Sequence, residues 1–182
     1  MKKFHSFNFV LMVFISTVFS IIWHAEAFAG EVNFDDTPPS VDQVVQALKP
    51  DPVPEMKLRG INYNPAPPAP KMVSITLEFE KNSAELTPKT QKSLSMVGQA
   101  LRSDDLKQLS FTLEGYADAS GTAEHNLALS QKRAASVKKF LVDNYNVNPE
   151  NLKAVGKGEQ EFLDQNNPYS PKNRRVRIVT VQ

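Results

Sequence analysis

The chain has 182 residues, room for one ordinary domain plus extensions. It contains no cysteine, which excludes a disulfide framework, a thiol nucleophile, a Cys-ligated metal and a lipid-modified cysteine. Its 21 Lys and Arg nearly balance 20 Asp and Glu, so there is no basic footprint of the kind nucleic acid requires.

In chain order, the first element reads as an export signal over residues 1–29. Lys2 and Lys3 form a positive start, Phe7 to Trp23 a mostly apolar run, and Ala27-Phe28-Ala29 a small-x-small end before Gly30. The alternative is an uncleaved inner-membrane anchor, for which a 17-residue run is slightly short. Cleavage removes His5 and His24 and leaves His125 alone, so a histidine metal cluster is excluded from the mature chain. It also leaves 19 basic and 19 acidic residues and no membrane span.

Residues 30–72 read as a proline-rich linker, since nine of the 13 prolines lie between Pro38 and Pro70. Proline lacks the backbone N–H, so such a stretch favours extended polyproline II. Inside it, "SVDQVVQALK" is an exception, a short amphipathic helix near 40–49. Ser40 and Gln43 stand at capping-box positions, and Val41, Val44, Val45 and Leu48 share one face. Alone it is too short to persist in water. It either docks on the domain or binds an envelope partner, and the residues leave both open.

From Val73 the patterns support a folded domain over 73–182 that stands without the preceding segment. "VSITLEF" alternates, with Val73, Ile75, Leu77 and Phe79 on one face. Thr87-Pro88 opens a helix running toward Arg102, with Leu94, Val97 and Leu101 at helical spacing. "LSFTLEGY" alternates again, a long helix spans about 126–144, and "LKAVG" and "RRVRIVTV" supply two more strands. The expected fold is α+β, a two-layer sandwich in which two main helices cover one face of a mixed sheet in the order β-α-β-α-β-β. The first strand–helix–strand unit should place its strands parallel.

The chemistry concentrates in "GYADASGTAEHNLALSQKRAASV", Gly115 to Val137. Asp118 sits on a strand-to-helix loop and Arg133 on the helix. By themselves they are a turn-forming Asp, a structural ion pair, or two ends of a clamp for a zwitterion. Both are expected near the surface. Ser130 reads as a packing residue, because no G-x-S-x-G elbow surrounds it. No cofactor is implied.

Asp118, ten residues, Leu129-Ser130, two residues, Arg133-Ala134, two residues, Val137: this spacing resembles the OmpA-like peptidoglycan-binding domain. Asn126 three before Leu129, Gly156-Lys157-Gly158-Glu159, "NRRV" at Asn173 to Val176 and the opening "FEKNSAEL" resemble the same family. The resemblance implies a non-catalytic periplasmic protein that binds the diaminopimelate residue of the peptidoglycan stem peptide and tethers a partner to the wall. Asp118 would meet the ligand ammonium and Arg133 its carboxylate, with Asn126 and Arg174 or Arg175 nearby. A planar guanidinium can grip a carboxylate with two bonds, which suits the role. The family's usual Gly-His-Thr-Asp is here Gly115-Tyr116-Ala117-Asp118. That departure leaves an alternative, a degenerate OmpA-like domain that binds protein in an envelope complex.

Overall fold

A computed structural model describes residues 31–34, 37–52, 70–77, 79 and 82–181. The export segment and most of the proline-rich run, including residues 53–69, lie outside them. The described residues form five strands: β1 (Val32–Phe34), β2 (Met72–Thr76), β3 (Ser110–Tyr116), β4 (Leu152–Gly158) and β5 (Arg175–Val181). Three α-helices separate them: α1 (Val41–Leu48), α2 (Pro88–Leu101) and α3 (Ala123–Tyr145).

The strands form one mixed sheet in the order β1-β2-β5-β3-β4. β3 and β4 pair in parallel, as a strand–helix–strand crossover through α3 requires. β2 and β3 each run antiparallel to β5, so they are parallel to each other as expected, with β5 inserted between them. The α+β class and the mixed sheet agree with the sequence reading. The additions are β1 and a third helix on the core.

Alternation decides the two faces of the sheet. Val73, Ile75, Phe111, Leu113, Val176 and Ile178 are buried in the hydrophobic core with Leu94, Val97, Val137 and Leu141 of the helices. The opposite face carries Ser74, Glu114 and Arg177, which lie directly across from one another in register. α3 rides unusually low on this sheet. A Cβ on Gly115 would run into the Ser130 carbonyl, and one on Gly156 would lie 2.6 Å from the Gln131 amide. Small residues on both sides of the contact thus let the helix backbone touch the strands. The Ser130 hydroxyl completes it by accepting from the Gly158 amide at 2.9 Å and donating to the Leu127 carbonyl at 2.8 Å.

Residues 31–52 differ from the expected spacer. β1 adds to β2 as a parallel edge strand, and α1 buries Val44, Val45 and Leu48 in the common core. The capping box forms as its sequence suggests: the Ser40 hydroxyl accepts from the Gln43 amide and the Gln43 side chain accepts from the Ser40 amide. The Thr180 hydroxyl donates to the Leu48 carbonyl at 2.9 Å, and Asp51 pairs with Lys71. Three buried aliphatic side chains contribute roughly 1.5–3 kcal/mol each. That is how an eight-residue helix persists: its stability is tertiary. The short helix near 40–49 is thus docked on the domain, one of the two readings its residues left open.

Candidate functional site

The β3–α3 loop, residues 117–122, turns the chain from the end of the sheet into α3. Ala117 donates to the Gly158 carbonyl at 2.7 Å and Ala119 to the Pro168 carbonyl at 3.0 Å, which fixes the loop against two neighbouring segments. Gly121 takes a φ of +108°, a conformation that favours glycine. Thr122 then caps α3 by accepting from the His125 amide. Asp118 is held in the bend, and Asn126 and Arg133 follow on one face of the helix.

Asp118, Asn126, Arg133 and Arg174 line a single cleft of about 600 Å³, together with Phe79 and Asn82. Asp118 is only 7% exposed and Arg133 5%, deeper than their expected surface positions. They are not partners of each other. The Asp118 carboxylate accepts from the Ser120 amide at 3.0 Å and from Arg174 Nη1 at 2.7 Å. Asn126 Nδ2 donates to the Asp118 carbonyl at 3.2 Å and to Glu159 Oε2 at 3.0 Å, so it ties the loop to the end of β4. Burial pushes the Asp118 carboxyl up. The Arg174 hydrogen bond, the Ser120 amide and the Arg174 charge outweigh it and hold Asp118 below the usual carboxylate range.

Arg133 is built differently. Its Nε donates to the Ser83 carbonyl at 3.1 Å, and its guanidinium stacks 4.6 Å from the Phe79 ring centre. Among the described residues no acceptor meets its two Nη groups. Burial lowers its basicity, and the Arg174 charge adds to that while Asp118 opposes it. The guanidinium is positioned by its base and its flat face, with the planar fork left for something else. The cleft therefore holds one carboxylate and two guanidiniums, fixed on three different segments.

Arg175 lies elsewhere. It is 3% exposed on the opposite sheet face, stacks 4.0 Å from the Tyr116 ring centre and donates from Nη2 to the Glu161 carbonyl. Tyr116 is buried there too, so the residue that departs from the family's histidine does not line the cleft, whereas Ala117 does. Phe79, Asn82, the Ser83 carbonyl and Glu159 complete the site, and sequence reasoning assigned none of them a role. "FEKNSAEL" and G-x-G-E were noticed as family marks only. Among the described residues no group of acidic and histidine side chains could hold a metal, and no helix is long and apolar enough to cross a membrane.

Residues 78–176 match the model of the OmpA family. Outer membrane protein A of Bordetella avium is 34% identical over 120 residues, 64% of this chain and 60% of that protein. The peptidoglycan-associated lipoprotein of Pseudomonas putida is 32% identical over 105 residues, 57% of this chain and 61% of that protein. The chain thus spans about 60% of the length of the curated relatives it matches. Among solved structures, the peptidoglycan-associated lipoprotein of Burkholderia pseudomallei superposes with a TM-score of 0.50 at 30% identity, covering 59% of this chain and 89% of that one. The periplasmic domain of MotB shares the fold, with a TM-score of 0.53 at 20% identity over 62% of this chain and 64% of that one. With more than half its length inside the family model, the chain belongs to the OmpA family.

Proposed function

We propose that this chain is a non-catalytic periplasmic protein that binds peptidoglycan through the diaminopimelate end of the stem peptide and holds an envelope assembly to the wall. One observation carries the reading: Asp118 and Arg133 share a cleft without pairing, and among the described residues no acceptor meets either Nη group of Arg133. A zwitterionic side-chain end needs one anion and one forked cation at a fixed separation. The Asp118 carboxylate has lone pairs to spare beyond Ser120 and Arg174, so a ligand ammonium joins an anchored anion. A ligand carboxylate takes the Arg133 fork and relieves the repulsion between Arg133 and Arg174. Asn126 and Glu159 keep the loop in place. Relatives that carry the name peptidoglycan-associated lipoprotein support the same reading.

Each charge-assisted bond is worth roughly 1.5–3 kcal/mol net, so one site binds modestly. A polymeric wall presents the ligand many times, and retention on it follows from that repetition. The export reading of residues 1–29 supports the compartment. The apolar face of α1 is occupied inside the domain, so it does not serve as the partner-binding face. The test is a pull-down on purified sacculi, with analysis of released fragments. Intact sacculi, retained protein and competition by free diaminopimelate support the proposal. Solubilised fragments would make it an enzyme instead, and equal recovery of wild type and Asp118→Asn would leave the clamp without support.

A further inference from the structure

The cleft does not end at Arg133. A second groove of about 760 Å³ is lined by residues 82–86, the start of α2 and the next turns of α3, and it shares Asn82 with the first. On α3 the two form one stripe: Asn126, Leu129 and Arg133 in the cleft, then Ser136, Phe140 and Asn144 in the groove. Their spacing of three and four residues keeps them on one helix face. From Asn126 to Asn144 that stripe runs about 27 Å at 1.5 Å per residue, far longer than one amino-acid side chain needs.

The chemistry changes along it. The cleft is ionic. The groove is lined by carboxamides of Asn82, Gln91 and Asn144, a hydroxyl at Ser136, the half-buried ring of Phe140 and the exposed carboxylate of Glu85, while Lys139 and Asp143 pair with each other. Gln91 and Asn144 each spend one N–H on a backbone carbonyl, at 3.1 and 2.9 Å, which orients the amide and leaves its oxygen. A ring with donors and acceptors around it suits a chain of hydroxyls and acetamides, and the Glu85 carboxylate can accept from hydroxyls while repelling a second peptide carboxylate.

We infer that this groove is a second subsite for the N-acetylated amino-sugar backbone of the same ligand, so that one protein face reads the peptide end and the glycan together. The inference rests on the wall-binding proposal and adds a sugar-dependent increment to it. The experiment is calorimetry on the mature chain with two probes, a diaminopimelate-ending stem peptide and the same peptide on its disaccharide. The disaccharide should tighten binding about three- to ten-fold, the scale of one or two neutral contacts. Phe140→Ala should abolish that increment and leave affinity for the bare peptide unchanged. Phe140 also packs against the core, so the exposed Asn144→Ala provides a second variant that should lower the increment with no change in melting. Equal affinity for both probes, or an increment that survives both substitutions, overturns the subsite. A larger gain from a cross-linked peptide dimer, lost in Phe140→Ala, would assign the groove to a second peptide and overturn the sugar reading. Failure of both probes to bind removes the wall-binding proposal itself, and this inference with it.

Discussion

The back face of the sheet and the cleft at its end use the same residue types for opposite ends. On the back face, Glu114 accepts from Arg177 at 2.8 Å and from the Tyr116 hydroxyl at 3.0 Å, and Lys157 lies 3.2 Å away. Arg177 also meets Glu161 and is covered by the Tyr116 ring. Glu31 reaches over from beside β1 to Ser74 and sits between Arg175 and Arg177. In the cleft, Asp118 has Arg174, but among the described residues Arg133 holds only a carbonyl and a ring. On the back face Glu114 and Arg177 answer each other, and Arg175, whose Nε and Nη1 have no hydrogen-bond partner among the described residues, is sealed at 3% exposure against Tyr116; the fork of Arg133 lines a cleft. A guanidinium without a carboxylate therefore marks a binding site only where it lines a cavity.

If that contrast is right, substitutions on the back face should act on stability and those in the cleft on binding. The largest effect is expected for Glu114→Ala, which leaves the mostly buried Arg177 only the exposed Glu161 and the more distant Glu31 among the described residues and should cost about 3 kcal/mol in denaturant unfolding. Binding to sacculi by the folded fraction should not change. The same group sets the acid limb of stability. Burial pushes the Glu114 carboxyl up, but its hydrogen bond to Arg177, the Arg177 charge, Lys157 and Tyr116 hold it below its ordinary value. The unfolded chain then takes up the proton first as pH falls, so stability present at neutral pH declines through and below the ordinary carboxylate range near pH ~4. Urea titrations across that range should show the decline, and Glu114→Gln should flatten it. Asp118 shifts in the same direction, so wall binding should persist from pH 7 to 5.

A sharper version removes single contacts. Tyr116→Phe deletes one hydroxyl bond to Glu114 and should cost about 1 kcal/mol with no loss of wall binding, although position 116 departs from the family pattern. An effect on binding would put Tyr116 back into the site. Glu31→Gln should be the mildest, under about 1 kcal/mol, because its carboxylate lies 3.8 Å from each arginine, beyond hydrogen-bonding distance. Its melting temperature should depend slightly less on salt than that of the wild type.

The fold was readable wherever a period was long enough to see. Alternation over Val73–Phe79 and Leu109–Tyr116, and the cap at Thr87, place most elements to within a few residues. β1 was not, because three residues, "VNF", carry no period and pair with β2 some forty residues later. Asp118, Asn126 and Arg133 were legible together since loop and helix are contiguous and their spacing carries the family pattern. Phe79 and Asn82 reach the cleft from another segment, and only the tertiary fold brings them there. The choice between Arg174 and Arg175 was half visible. Val176 and Ile178 face the helices, so strand parity sends Arg175 and Arg177 to the back. Arg174 precedes the strand as the cap of a short turn, where parity says nothing.

The most direct test compares two arginines that differ only in whether their charge is already answered. Calorimetry with a diaminopimelate-ending stem peptide would be run on wild type, Arg133→Ala and Arg177→Ala, each with a melting curve. The account predicts that Arg133→Ala weakens binding by about ten-fold or more, the scale of one charge-assisted pair, with a small change in melting. Arg177→Ala should melt earlier and bind like wild type below its transition. Wild-type affinity in Arg133→Ala, or a binding loss in Arg177→Ala that matches it, would contradict the account.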